Sequence, residues 1–261
     1  MNDLEKQFIA ALKSIESERR LDRVFFDFVA IAAASIARID RPQADKHEQL
    51  RVEVLARYTQ EEGKVFAKCF DLLVEIMGQG FGDHLGQLYM SLDLGNDRLG
   101  QYFSPYDLSL LSARMILDES SVEQKIEEKG FISLYEPTVG GGGMVIAAAQ
   151  VIKDMGFNPQ QQLHVTCQDL DVTAVYMTYL QLSLFGIPAV VIHGDVLALE
   201  ERSHWYTPFH IINGWSRKLE RGYLLKPEER KPEYEELIAK CEELTTPLPE
   251  QPQPAPQLVL F

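Results

Sequence analysis

Tyr135-Glu136-Pro137-Thr138-Val139-Gly140-Gly141-Gly142-Gly143 is the stretch on which the reading of this chain turns. An acid, a proline and four glycines separate a strand-like run, Phe131 to Tyr135, from the apolar, alanine-rich run Met144 to Ile152, which predicts a helix. Glycines at such a turn permit positive φ and close backbone approach, and the following helix N-terminus offers unpaired N–H groups to a ligand. A flexible connection is also rich in glycine, so the flanking order has to decide.

That order is regular. His164 to Gln168 predicts a second strand ending in Asp169-Leu170-Asp171, Thr173 to Phe185 a helix, and Pro188 to His193 a third strand ending in Gly194-Asp195. The predicted fold is α/β and Rossmann-like, with acids at successive strand ends along one rim. In open α/β sheets ligands bind at the carboxyl ends of the strands, and an acid ending the second strand commonly takes ribose hydroxyls. A dinucleotide would suit the loop as well, but Glu136 at its entrance repels pyrophosphate and suits a cationic ligand.

In this order the motifs resemble those of the adenine-N6 DNA methylases related to the modification subunits of type I restriction systems. Gly100-Gln101-Tyr102-Phe103-Ser104-Pro105 resembles the family's G-Q-F-F-T-P segment, and Glu136 to Gly142 its D-P-x-C-G-S-G loop. Gln168-Asp169 and Gly194-Asp195 resemble its two later acidic motifs, so the likeness covers about Leu94 to Leu219. It implies a Rossmann-like, S-adenosylmethionine-dependent methyltransferase fold. Phe103, Ser104 and Pro105 would close over the cofactor, and Glu136 would face its ammonium end. Thr138, Gly140 and Gly142 would form the loop it approaches, while Asp169, Leu170 and Asp195 would hold ribose and adenine. The alternative reading makes Asp169 and Asp195 helix or turn caps and Phe103 a core aromatic.

The catalytic motif departs from the family's Asn-Pro-Pro-aromatic. Pro208 to Ile212 reads as the corresponding strand, followed by Asn213-Gly214-Trp215-Ser216, with the Asn kept and both prolines absent. In one reading Asn213 accepts the adenine amino proton and Trp215 stacks on a flipped base. In a second, Gly214 loosens a geometry that catalysis needs held tightly, and the site binds cofactor without turnover. A third makes Asn213-Gly214 a turn and Trp215 a core residue.

The last residues carry a different signal. Thr245 to Pro256 is a proline-rich linker, and Gln257-Leu258-Val259-Leu260-Phe261 resembles the pentapeptide with which bacterial polymerases and repair proteins dock on the replication sliding clamp. By that likeness Gln257, Leu258, Leu260 and Phe261 would make the contact. At about 3.1 Å per residue, Pro247 to Pro256 could span roughly 30 Å. Gln181-Leu182-Ser183-Leu184-Phe185 matches the same pattern, but inside a predicted helix with Leu182 and Phe185 spaced to face the core. The position of the terminal copy at the end of a proline stalk favours docking; the alternative is that the tail folds back as an edge strand or packs in a groove of its own domain.

Residues 1 to 93 read as helices over Leu4–Ser17, Phe25–Ile39, His47–Tyr58 and Glu61–Met77, with a break at Phe81-Gly82-Asp83. They predict a helical region before a cofactor domain at 94 to 244, a linker at 245 to 256 and a tail at 257 to 261. Phe25 to Ile36 is too short to cross a membrane. Cys69, Cys167 and Cys241 show no metal spacing, and a cytoplasmic setting with reduced thiols is expected. A net charge of −14 repels phosphates, so weak intrinsic DNA binding is expected and tethering to a clamp would compensate for it. Three functions follow as expectations: a clamp-associated, adenine-specific DNA methyltransferase, a non-catalytic cofactor-binding adaptor on the clamp, and a methyltransferase with another substrate. Oligomeric state is not legible.

Overall fold

The computed structural model describes residues 1–15, 19–92 and 103–222. These lie within a compact unit running to Leu224; the second unit, Leu225–Phe261, is outside the described residues, and with it the linker and the tail pentapeptide. Gly100, Gln101 and Tyr102 are outside them too.

The N-terminal helices are α1 (Asp3–Lys13), α2 (Leu21–Ala37), α3 (Ala44–Leu55), α4 (Gln60–Met77) and α5 (His84–Ser91). Capping boxes start two of them, Asn2 with Glu5 and Thr59 with Glu62, each satisfying two otherwise orphaned N–H groups. Helix α2 is apolar on nearly every face and is buried accordingly. Its one deeply buried charge, Asp27, is met by Arg23 at 3.0 Å, by Arg57 at 3.3 Å and by the Tyr58 hydroxyl at 2.8 Å. Without those partners the carboxylate would be strongly destabilising there. Phe28 packs edge-on to Phe8 and stacks near Phe66, joining α1, α2 and α4.

The chain continues through α6 (Tyr106–Ile116), α7 (Glu119–Lys129), β1 (Ile132–Glu136), α8 (Gly143–Asp154), α9 (Pro159–Gln162), β2 (Leu163–Asp169) and α10 (Val172–Leu184). It ends, among the described residues, with β3 (Ala189–Asp195), β4 (Glu200–Tyr206), α11 (Pro208–Ile212) and α12 (Trp215–Arg221). The sheet order is β1-β2-β3-β4, with β1, β2 and β3 parallel and β4 antiparallel to β3. Register pairs Glu136 with Cys167 and Asp169 with His193, so the carboxyl ends of the three parallel strands share one rim, as the acid spacing predicts. Strand β2 is central and almost wholly buried, the expected pattern for a parallel strand covered on both faces.

One hydrophobic core contains Phe8, Phe28 and Leu73 from the N-terminal helices together with Val165, Leu180 and Val191 from the sheet and its crossover. The helical region is therefore one layer of the same unit. Helix α8 uses two faces: Ile146, Ala149 and Ile152 enter that core, whereas Ala147, Ala148 and Val151 pack with Ala113 of α6.

The expected strand over Pro208–Ile212 is a helix. Pro208 occupies the first helical position, and the Thr207 hydroxyl is bound to the Ala189 N–H and the Ile187 carbonyl, which turns the chain off the sheet. A five-residue apolar run has no period that separates strand from helix. The fourth strand is instead Glu200–Tyr206, a charged segment that buries Trp205 and leaves most of its other side chains exposed or half-buried.

Helices α11 and α12 close the amino ends of β1 and β2. Trp215 is fully buried, with ring centroids 5.2 Å from both Phe131 and His164. His164 Nε2 and His210 Nδ1 lie 2.9 Å apart, and His210 Nε2 is 3.0 Å from Ser216 Oγ. Burial holds both imidazoles well below the ordinary histidine range, and their mutual repulsion lowers His164 further. The unfolded chain takes up protons at these positions below about pH 6.5 while the folded chain does not, so their contribution is whole above that value and is lost as pH falls. Buried carboxyls raised in pKa act with the opposite sign. The quantity to read is therefore the difference in slope of unfolding free energy against pH, which is expected to be shallower in His210→Gln than in wild type between about pH 6.5 and 5.

Candidate functional site

Between β1 and α8 the chain turns through Gly140 at φ +56° and Gly142 at φ +96°, both in the left-handed region that favours glycine. Several bonds hold this turn. Val139 N–H donates to the Gln168 carbonyl at 3.0 Å, Gly142 N–H to the Val139 carbonyl at 3.0 Å, and Thr178 Oγ1 to the Gly140 carbonyl at 2.8 Å. Asp169 Oδ2 accepts the Gly140 N–H at 2.8 Å while its Oδ1 accepts the Asp171 N–H at 2.9 Å. Burial pushes the Asp169 carboxyl up, and these backbone donors oppose that shift.

A second brace comes from the helical region. Asp83 caps α5, and Gln181 of α10 donates from Nε2 to Asp83 Oδ1 at 2.8 Å and to the Gly141 carbonyl at 2.6 Å. Its Oε1 accepts the Leu85 N–H at 3.1 Å. Gln181 belongs to the internal docking-like string, and both it and Leu182 are fully buried, so that copy is a structural element of the core.

Beneath the loop lies a cavity of about 200 Å³. Its walls bring together Phe103, Ser104, Glu136, Thr138 and Gly140, all expected from the sequence, with Asp83, which was not. Phe103 packs on the loop: a Cβ on Gly140 would stand 3.2 Å from its ring, so the absence of a side chain there leaves the room. Gly142 faces Thr178 and supplies the turn geometry. Pro105 sits outside the wall, at the start of α6, where its carbonyl accepts the Leu108 and Ser109 N–H groups.

Asp169, Leu170 and Asp195 lie along the same rim outside the cavity wall. Leu170 is exposed, and Asp195 Oδ1 accepts the Leu197 and Ala198 N–H groups at 2.9 and 3.1 Å. Both acids thus serve as caps. A carboxylate oxygen taking one backbone bond keeps a lone pair for a second donor, so the cap and the ligand roles are compatible.

A family model for N-6 DNA methylase matches residues 82–216. The chain belongs to the N-6 DNA methylase family. Its fold is α/β with an N-terminal helical region. Among solved structures it is similar to the methyltransferase subunit of a type I restriction-modification system from Streptococcus thermophilus, at 19% identity and a TM-score of 0.40, covering 68% of this chain and 40% of that one. It is also similar to a putative class I S-adenosylmethionine-dependent methyltransferase from Listeria monocytogenes, at 10% identity and a TM-score of 0.42, covering 93% of this chain and 80% of that one. This chain thus spans well under half the length of the Streptococcus subunit. No curated protein matches it.

Asn213 and Trp215, the expected counterparts of the family's catalytic motif, are not among the residues that line the cavity. Asn213 follows α11 and donates to the Gln160 carbonyl at 3.4 Å, and Trp215 lies against Phe131 and His164, at the amino ends of the strands. Along β1 from Phe131 to Glu136 the separation from the glycine loop is roughly 16 Å at about 3.3 Å per residue. Trp215 is fully buried in this arrangement, and Asn213 is half-buried.

The missed residues, Asp83 and Gln181, gave little warning. Asp83 precedes Gly86 in a capping pattern and reads from sequence as a helix boundary only. Nothing in the sequence near Gln181 points to the loop. Two substitutions separate the two ends of the sheet. Trp215→Ala is expected to lower stability by about 3–5 kcal/mol in chemical denaturation and to leave cofactor affinity intact wherever the variant is folded. Gly140→Ala, strained at positive φ by about 1–2 kcal/mol and pressed on Phe103, is expected to weaken cofactor binding measured by calorimetry.

Proposed function

We propose that the chain binds S-adenosylmethionine in the cavity beneath the glycine loop and serves adenine-N6 methylation of DNA as a cofactor-binding adaptor linked to the replication sliding clamp, with no catalytic part for Asn213 or Trp215. The observation that carries this is the cavity itself. Its wall combines two carboxyls, Asp83 and Glu136, with glycine backbone and the Phe103 ring, and among the described residues no Lys, Arg or His lines it. Such a wall suits a ligand with a positively charged end and an apolar flank.

In this reading Glu136 faces the ligand's ammonium, Phe103 and Ser104 cover it, and the Gly140 region presents backbone at close range. Asp169 and Asp195 hold ribose and adenine along the rim, with Leu170 as an apolar contact. When bound, S-adenosylmethionine supplies an electrophilic methyl group. Transfer to adenine also needs an acceptor for the amino protons and a surface for the flipped base. The burial of Trp215 and the distance of Asn213 from the rim favour the adaptor over the enzyme.

The clamp link rests on Gln257, Leu258, Leu260 and Phe261, which lie outside the described residues, and on charge. At −14 the chain has little attraction for DNA of its own, and a tether raises local concentration without a basic surface. The competing reading, an adenine-specific DNA methyltransferase, is favoured by family membership.

The discriminating measurement is nucleoside mass spectrometry of unmethylated duplex DNA incubated with the protein, S-adenosylmethionine and a loaded clamp, in samples shown by calorimetry to bind the cofactor. The adaptor reading expects cofactor heat without N6-methyladenine. Methylated adenine that disappears in Asn213→Ala would restore the enzyme reading and Asn213 with it. Deleting 257–261 is expected to abolish co-elution with the clamp, and co-elution that survives the deletion removes the tether.

A further inference from the structure

The two carboxyls of the cavity wall are not equivalent. Glu136 ends β1 half-buried, with Oε1 accepting the Thr138 N–H at 3.3 Å. Asp83 is only 3% exposed, and its Oδ1 takes two donors, Gly86 N–H at 2.9 Å and Gln181 Nε2 at 2.8 Å. Among the described residues no donor reaches Oδ2.

That oxygen lies against the glycines. A Cβ built on Gly141 or on Gly143 would come within 3.2 Å of Oδ2, and one on Gly86 would collide with it. Three glycines from two segments thus make way for one carboxyl group. A helix cap alone does not call for this, because a capping aspartate does its work at a solvated helix end, and burying a carboxylate without a countercharge is costly.

Among the described residues, the group that favours the Asp83 carboxylate through charge is His84, and its effect is smaller than that of burial and of the two hydrogen bonds. Glu136 shares its cavity from β1, and Tyr106 of α6 and Gln181 of α10 are neutral. On its own helix, His84 is partly exposed and bonded to the Gly80 carbonyl through Nε2.

We propose that Asp83 is the second carboxylate of the cofactor seat, taking the positively charged end of the ligand together with Glu136 and releasing a proton to solvent as that end arrives. The inference rests on the reading of the cavity as the S-adenosylmethionine site. Burial, the largest influence on it, raises the Asp83 carboxyl above the ordinary carboxylate range. A cation at the same place favours the carboxylate. The carboxyl O–H bond breaks, the electron pair stays on the oxygen, and the proton passes to the buffer. Affinity therefore rises with pH through the range in which Asp83 of the free protein titrates.

The test is calorimetry of S-adenosylmethionine binding to the full chain in buffers of different ionisation enthalpy, at several pH values between about 5 and 8. Wild type is expected to release up to about one proton per ligand somewhere in that window. Asp83→Asn keeps an acceptor for Gly86 and Gln181, and is expected to end the release and weaken binding by about ten-fold or more. Glu136→Gln is expected to bind more weakly with the release retained. Wild-type binding with no release at any pH, or a release that persists in Asp83→Asn, overturns the proposal. Should Asp83→Asn fail to fold, Glu136→Gln decides, since a release lost there belongs to Glu136. No binding by wild type overturns the cofactor reading itself, a different outcome from either.

Discussion

One side-chain amide holds the site together. Gln181 joins α10 to the Gly141 carbonyl, to the Asp83 carboxyl and to the first turn of α5, using both ends of its amide in a fully buried setting. Buried amides are stabilising when every donor and acceptor is matched and costly when they are not, so the loop, the cap and the crossover helix are fixed as a set. The other brace, Asp169 on the Gly140 N–H, ties the same loop to β2. Between them the glycines are held open, and the cavity exists because they are.

What was legible in the sequence is what local chemistry dictates. The four N-terminal helices, the three parallel strands and the two crossover helices follow from apolar periodicity and from glycine and acid punctuation, and each lies within a few residues of its expected position. Phe103, Ser104, Glu136, Thr138 and Gly140 could be found together because they fall on two motif segments whose order is itself informative. The failures have one cause. Pro208–Ile212 is too short for periodicity to speak, and Glu200–Tyr206 is too charged to look like a strand until its pairing with β3 is known. Asp83 meets Gln181 across 98 positions of sequence, a contact that no local pattern encodes.

The sheet has two ends with different chemistry. At the carboxyl ends Glu136, Asp169 and Asp195 are half-buried and each takes backbone N–H bonds, an arrangement that keeps acids available without leaving them unsatisfied. At the amino ends Phe131, the two buried imidazoles of His164 and His210, and Trp215 pack ring against ring. Of Asn213-Gly214-Trp215, the tryptophan is part of that packing, while Asn213 and Gly214 are half-buried.

The cavity takes its walls from Asp83 in the N-terminal helical layer, from Phe103 and Ser104 ahead of α6, and from the loop after β1. No part of the chain that lacks one of these contains the pocket. A ligand that occupies it therefore has affinity for the complete unit and for nothing smaller, and by mass action its free energy is credited to the whole transition between folded and unfolded chain. Helices far from the rim, such as α1 and α4, then share in protection against unfolding that they do nothing to contact.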